Sequence, residues 1–167
     1  RLNYNWKSRY YLTVTGRYDG ASNFAANNKW AFFPSAALKW NISNENFLKD
    51  CNWIDDLSLR LSAGLAGNDA ISAYRSLATL SSTTGGYLFD GSQPVAFYRS
   101  RLDSPDLTWE KTTAYNVAID WSMFKGRLNI TADFFLKDTK DLLMAANRAY
   151  VSGFASQWMN VGKIRNK

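Results

Sequence analysis

The chain predicts an all-β protein: an antiparallel transmembrane β-barrel segment of about seven spanning strands with long extracellular loops. Three observations carry that prediction. Apolar residues recur at every second position in run after run, aromatic residues collect at the ends of those runs, and tight connections alternate with long ones.

The runs follow one another along the chain. Residues 2–6 place Leu2, Tyr4 and Trp6 on one face, a short example. In residues 10–19, Leu12, Val14, Gly16 and Tyr18 share a face opposite Tyr11, Thr13, Thr15, Arg17 and Asp19. Residues 36–42 set Ala36, Leu38, Trp40 and Ile42 against Ala37, Lys39 and Asn41. Residues 57–65 put Leu57, Leu59, Leu61, Ala63 and Leu65 against Ser58, Arg60, Ser62 and Gly64. In residues 115–123 the apolar set is Tyr115, Val117, Ile119, Trp121 and Met123, opposite Asn116, Ala118, Asp120 and Ser122. In residues 128–136 it is Leu128, Ile130, Ala132, Phe134 and Leu136, opposite Asn129, Thr131, Asp133 and Phe135. Residues 158–165 form a weaker last strand.

Two architectures share this alternation. A soluble β-sandwich turns its apolar face inward. A transmembrane barrel turns it outward to lipid and keeps its polar face in the lumen. Run length favours the barrel, since a tilted crossing takes about 9–11 residues. Trp6, Tyr10, Tyr18, Trp40, Tyr115, Trp121 and Phe124 stand at or near strand ends, where an interfacial girdle sits. Arg17, Asp19, Lys39, Arg60 and Asp120 fall on the polar faces, where a watery lumen hydrates them.

Connections point the same way. Lys7-Ser8-Arg9 and Lys125-Gly126 read as tight turns, and residues 20–33, 67–108 and 138–156 as long loops. Residues 43–56 are a mid-length exception on the short-turn side, with one helical turn over 44–50 behind Ser43 as N-cap, or a plain loop. The strand leaving at Gly64–Ala66 and the one entering near Trp109 must use the same side, so an even number of crossings lies between them. Residues 73–80 and 87–98 read as a hairpin inside the external loop, because Gly85-Gly86, Asp90-Gly91 and Pro94 interrupt any clean run. Bacterial single-chain barrels have even strand numbers. Seven strands therefore predict a piece of a larger wall, as does a chain that opens at Arg1 within an alternating segment.

Composition excludes much else. The 167 residues carry a net charge of +6, no histidine and one cysteine, Cys51. His-based triads, His metal sites and an internal disulfide are thereby excluded. There is neither a P-loop nor a dinucleotide-binding glycine fingerprint. Asp69, Asp90, Asp103 and Asp106 lack calcium-loop spacing, so no metal site is expected. The basic residues spread over both faces and every loop, unlike a nucleic-acid stripe. The expectation is a chain that is no enzyme, holds no cofactor and binds no nucleic acid.

Particular residues add a resemblance. They are Arg17-Tyr-Asp-Gly-Ala-Ser-Asn-Phe24, Lys29-Trp-Ala-Phe-Phe-Pro-Ser35 followed by Trp40, and Leu59-Arg-Leu-Ser-Ala-Gly-Leu-Ala-Gly-Asn68. Further on stand Leu107-Thr-Trp-Glu-Lys-Thr112 with Asn116 and Asp120, Asp141-Leu-Leu143, and Asn160-Val-Gly-Lys-Ile-Arg-Asn-Lys167. In order and spacing they cover nearly the whole chain, which resembles the C-terminal half of the barrel in the SusC/RagA family of TonB-dependent outer-membrane transporters. Ala21, Ala31 and Ala63 depart from residues common in that family.

The resemblance implies a barrel of about 22 strands around a folded plug. Residues 1–167 would be part of that barrel domain, without the plug or the TonB-interacting segment. It also implies import of oligosaccharide or peptide beneath a SusD-like surface lipoprotein, energised through TonB, in a wall embedded in outer-membrane lipid. Two rivals stay open: a small self-contained barrel acting as adhesin or anchor, and a soluble carbohydrate-binding β-sandwich. The first predicts that residues 2–6 pair with 160–165, the second that Leu57, Leu59 and Leu61 are buried.

Candidate ligand contacts are Tyr74, Tyr87, Phe89, Phe97 and Tyr98 in the large external loop, because flat rings stack on sugar C–H faces. Packing within the loop, or against a lipoprotein partner, is the alternative. Arg75, Arg99 and Arg101 suit a peptide carboxylate. Arg17, Asp19, Lys39, Arg60 and Asp120 are expected to face the lumen, where the Arg17–Asp19 pair either touches a plug or lines the substrate path, or belongs to an interior ladder that satisfies barrel polar groups.

Overall fold

Alternation in one run decides which residues share a face; pairing decides whether the faces of successive strands agree. The computed structural model describes residues 1–48, 53–84 and 88–167. Its strands are β1 (Leu2–Trp6), β2 (Tyr10–Gly20), β3 (Trp30–Asn41), β4 (Ile54–Asn68), β5 (Thr79–Thr84), β6 (Val95–Arg101), β7 (Glu110–Met123), β8 (Leu128–Lys140), β9 (Leu143–Asn147), β10 (Ser156–Asn160) and β11 (Lys163–Asn166). Seven of them form one sheet in the order β1-β2-β3-β4-β7-β8-β11, while β5–β6 and β9–β10 are separate hairpins.

The registers bring the apolar sets into continuous rows. Leu2, Val14, Ala36, Ala63, Tyr115 and Leu136 are successive partners. So are Tyr4, Leu12, Leu38, Leu61, Val117 and Phe134, and below them Trp6, Tyr10, Trp40, Leu59, Ile119 and Ala132. No residue slips face along these rows. Much of this surface is uncovered, Phe134 at 69% exposure and Leu61 at 37%. Leu57 and Leu59 are half-buried rather than enclosed, as a sandwich core would require.

Aromatic rings border the apolar rows at both ends. On the short-turn side Trp6 and Tyr10 lie 5.7 Å apart, Tyr10 stacks on Trp40 at 6.0 Å, and Trp53 meets Trp121 at 6.2 Å. On the long-loop side Tyr18 stacks on Trp30 at 5.2 Å.

Tight turns close the short-turn end. Arg9 N–H donates to Trp6 O across Lys7 and Ser8, both at positive φ as in a type I′ turn, with Arg9 left as an extra residue before the ladder opens at Trp6↔Tyr10. Lys125 and Gly126 are likewise at positive φ, with Arg127 N–H donating to Phe124 O. Three connections lie at this end and three at the other; β4–β7 and β8–β11 at the other end are the longest, while β3–β4 at this end outruns β2–β3, and the hairpin of the large loop stays outside the wall.

Several expected boundaries are corrected. β3 begins at Trp30 rather than 36, running straight through Pro34, so the preceding loop is shorter. Its pairing with β4 begins only at Ser35↔Gly64, so Pro34 stands where that flank has no partner to lose a ladder bond to. The large-loop hairpin falls at 79–84 and 95–101, later than 73–80 and 87–98, because residues 73–78 turn instead of extending. Residues 138–156 are not one loop: β8 continues to Lys140 and β9 follows. Residues 158–165 are not one strand, since the chain breaks at Gly162, φ 88°, dividing β10 from β11. Residues 45–48 hold no helical turn, in keeping with a plain loop, while 49 and 50 lie outside the described residues; a single 3-10 turn sits earlier, at Ile42–Asn44, and Ser43 Oγ donates to Asp56 Oδ1 at 2.9 Å. Cys51, Tyr87 and Gly85-Gly86 lie outside the described residues.

The terminal strands are not joined. β1 pairs with β2 and β11 with β8, so the sheet is an open wall and not a closed small barrel.

Candidate functional site

Strand geometry sends every second side chain to the polar face, and there the register aligns charges of opposite sign. Asp120 on β7 is the centre. Arg60 on β4 donates to it twice, Nε at 2.7 Å and Nη2 at 3.0 Å. Thr131 Oγ1 on β8 donates at 3.1 Å and buried Ser58 Oγ at 3.4 Å. Asp133 adds a second carboxylate 3.8 Å from Arg60 Nη2. A bidentate arginine clamp inside such a network ties three strands together. Farther toward the long-loop end, Arg17 and Asp19 pair at 2.6 Å on β2 alone. Lys39 lies opposite Arg60 in the ladder and, among the described residues, has no carboxylate within 4.0 Å.

All five predicted polar residues therefore share one face, but they do two different things. Arg60 and Asp120 satisfy each other and their neighbours. Arg17 and Asp19, paired with each other, line a shallow concavity of about 420 Å³ on that face, and Lys39 lines one of about 280 Å³ together with Arg60.

Above these concavities an aromatic cluster seats the loops. β2–β3 and β4–β7 pair onward past the point where β3 and β4 separate. Into the gap go Phe33 and Trp109, with Phe24, Leu107, Ile71 and Ala21 beside them, all buried. Phe24 and Trp109 lie 5.5 Å apart, and Phe33 meets Trp109 edge-on at 5.3 Å. Trp109 Nε1 donates to Lys29 O at 3.1 Å. Burial of each large ring contributes about 1.5–3 kcal/mol. Gly67 is required there: a Cβ would stand 2.1 Å from Phe33 Cζ.

The external hairpins meet across a cleft of about 510 Å³. Arg75, Tyr98, Arg99 and Arg101 line it from one side, and Phe154 and Trp158 from the other. Arg75 lies over the Trp158 ring at 5.5 Å, and its Nε is buried without a partner. Arg101 donates to the backbone oxygens of Tyr74 at 2.6 Å and Leu77 at 3.4 Å. None of the three guanidiniums has a carboxylate within 4.0 Å among the described residues.

The predicted aromatics do not converge. Among those that are described, only Tyr98 enters this cleft, Tyr74 lines a smaller concavity beside Phe24, and Phe89 and Phe97 stand 73% exposed on the hairpin. Sequence reasoning missed Trp158 as a cleft residue, because β9–β10 was not separated from the last wall strand. The missed signal was Gly162, two residues after Asn160, whose side chain holds both Thr108 and Asp141 backbone groups.

An open antiparallel sheet with a lipid-type apolar face between aromatic borders, a polar inner face and long loops at one end is the wall of an outer-membrane β-barrel. Residues 1–167 match the family described as TonB dependent receptor-like, beta-barrel, and the chain belongs to that family. It is 40% identical over 167 residues to TonB-dependent receptor P26 of Formosa agariphila, covering 100% of this chain and 17% of that protein. To TonB-dependent receptor SusC of Bacteroides thetaiotaomicron it is 38% identical over 170 residues, covering 99% of this chain and 17% of that protein. Among solved structures it is similar to a chain of the RagAB peptide transporter, with a TM-score of 0.86, 34% identity, and 98% and 18% of the two chains covered. The SusC/RagA resemblance and the outer-membrane location stand on these matches. The chain spans about one sixth of the length of the relatives it matches.

Proposed function

We propose that this wall serves nutrient import: a TonB-dependent transporter that takes up oligosaccharide or peptide through the outer membrane with a SusD-like lipoprotein. Residues 1–167 are then part of the barrel domain, and the plug and TonB-interacting segment belong to other parts of the transporter. The observation that carries the reading is the cleft at the long-loop end, where Tyr98 and Trp158 offer ring faces beside Arg75, Arg99 and Arg101. Rings suit sugar C–H faces or peptide side chains, and guanidiniums suit a carboxylate. In this reading Tyr74, Phe89 and Phe97 pack or meet the lipoprotein, and Arg17, Asp19 and Lys39 line the inner path.

The test is binding and uptake by the full-length transporter, offered a panel of oligosaccharides and peptides with and without acidic groups. A Tyr98→Ala/Trp158→Ala variant should bind its ligand roughly tenfold more weakly or worse. Uptake that survives deletion of the transporter for every panel member, or unchanged affinity in the variant, overturns the reading.

A further inference from the structure

Beyond transport, the register assembles a cationic rung on the lipid-facing side of the wall. Lys111, Lys140 and Lys163 are consecutive partners on β7, β8 and β11. They share the face of Tyr115, Val117, Phe134 and Leu136, because Lys111 lies four residues from Tyr115 and Lys140 four from Leu136 on strands that alternate without a slip. One step below, Arg165 lies opposite Asp138.

The charges around the rung do not cancel. Asp138 takes Arg165 Nε at 2.6 Å and Lys163 Nζ at 3.5 Å. Glu110 is committed elsewhere, accepting from Leu143 N–H and Asn68 Nδ2, both at 3.3 Å. Among the described residues Lys111 and Lys140 have no carboxylate within 4.0 Å, and both are exposed. Directly opposed like charges destabilise a strand pair. Asp138 partly offsets Lys163, whereas Lys111 and Lys140 face each other with no carboxylate, so an anion lying over the rung relieves the pair; adjacent strands place the three lysines across roughly 10 Å.

Height selects the anion. Four residues of tilted strand put the rung roughly 10 Å above the Tyr115 ring, where lysine stems reach headgroups. The apolar rows lie directly beneath, ready for acyl chains. We propose that Lys111, Lys140 and Lys163 form a binding site for the phosphate headgroup of an outer-leaflet lipid, whose chains lie on Val117, Phe134 and Leu136.

The test uses the full-length transporter in detergent and native mass spectrometry, with phosphatidic acid against diacylglycerol as probes. Wild type should retain phosphatidic acid in preference to diacylglycerol, and retention should weaken as salt rises. Replacing all three lysines by glutamine should lower phosphatidic acid affinity roughly 100-fold, from about fivefold per lysine at an anionic lipid surface. Replacement by arginine, which keeps charge and strand, should preserve binding. The proposal is overturned if the glutamine variant keeps wild-type affinity, if the folded arginine variant loses it, or if diacylglycerol binds equally well. Displacement of the lipid by millimolar inorganic phosphate also overturns it, because the site would then recognise the free anion.

Discussion

Replacing Gly67 by alanine should loosen the joint where β3 and β4 diverge. The added Cβ would stand 2.1, 2.5 and 2.9 Å from three ring atoms of Phe33, against about 3.4 Å for ordinary contact. The ring must therefore retreat by roughly 1.3 Å, the difference between the ordinary contact and the shortest of these distances. On one side stands Trp109, which meets it edge-on at 5.3 Å and itself packs on Phe24, and on the other the ring would have to leave its buried place for the open concavity it borders. Overpacking of this kind costs about 1–3 kcal/mol. Hydrogen exchange in the full-length protein should report it locally: amides of residues 107–110 exchange roughly 5- to 150-fold faster, that energy expressed as a ratio, while β7–β8 amides near Asp120 stay protected. Phe33→Leu, a smaller and more pliable side chain, should restore much of the protection when combined with Gly67→Ala, so the two changes are strongly non-additive. Wild-type protection in Gly67→Ala, or simple additivity with Phe33→Leu, would refute the claim that this glycine exists for the Phe33 ring.

Further outcomes follow from other contacts. Asn160→Asp turns a donor that reaches Thr108 O and Asp141 O, each at 2.8 Å, into an acceptor facing two acceptors, and should cost about 1–3 kcal/mol by chemical denaturation. Burial alone would raise the Glu45 carboxyl, but Trp40 Nε1, the Tyr10 hydroxyl and Arg9 together hold it below its ordinary value. A depressed carboxylate gives stability present above the unfolded value, about pH 4.3, and lost as pH falls through the folded one. Wild type should therefore lose more thermal stability between pH 7 and pH 3 than Glu45→Gln, and equal losses would disprove the role. Ser8→Gly, at φ 53°, should raise stability by about 0.5–1 kcal/mol in thermal unfolding, since glycine takes positive φ without the usual penalty.

What was legible in the sequence was legible for a reason that also marks its limit. Alternation appears only while the two faces of a strand meet different solvents. Residues 10–19 and 115–123 were readable because one side faces hydrocarbon and the other water. Lys137, Asp138, Thr139 and Lys140 extend β8 with polar groups on both faces, so the ladder continues while the hydropathy signal has ended. Strand count and side of exit survived this because parity does not depend on strand length. The aromatic borders were legible because ring position tracks the interface, and their stacking followed from register. The loop cleft was not. Whether Tyr98 faces Trp158 depends on how two hairpins lean together, which no local period encodes. β3 runs through Pro34 because proline's prohibition applies only where a partner strand waits for the missing N–H.

The parting of β3 from β4 has a mechanical consequence. Below Ser35↔Gly64 the two strands are stitched by backbone bonds; above it only side chains bridge them. A lateral load on the wall therefore finds a seam between two stiff panels, one ending at β3 and one beginning at β4. Hydrogen-bonded ladders are short-ranged and brittle, whereas interlocked rings give gradually before they let go. Phe33 and Trp109 act there as a compliant gasket, so a tear starts at the loop rim and must unzip the ladder one rung at a time toward the short-turn end.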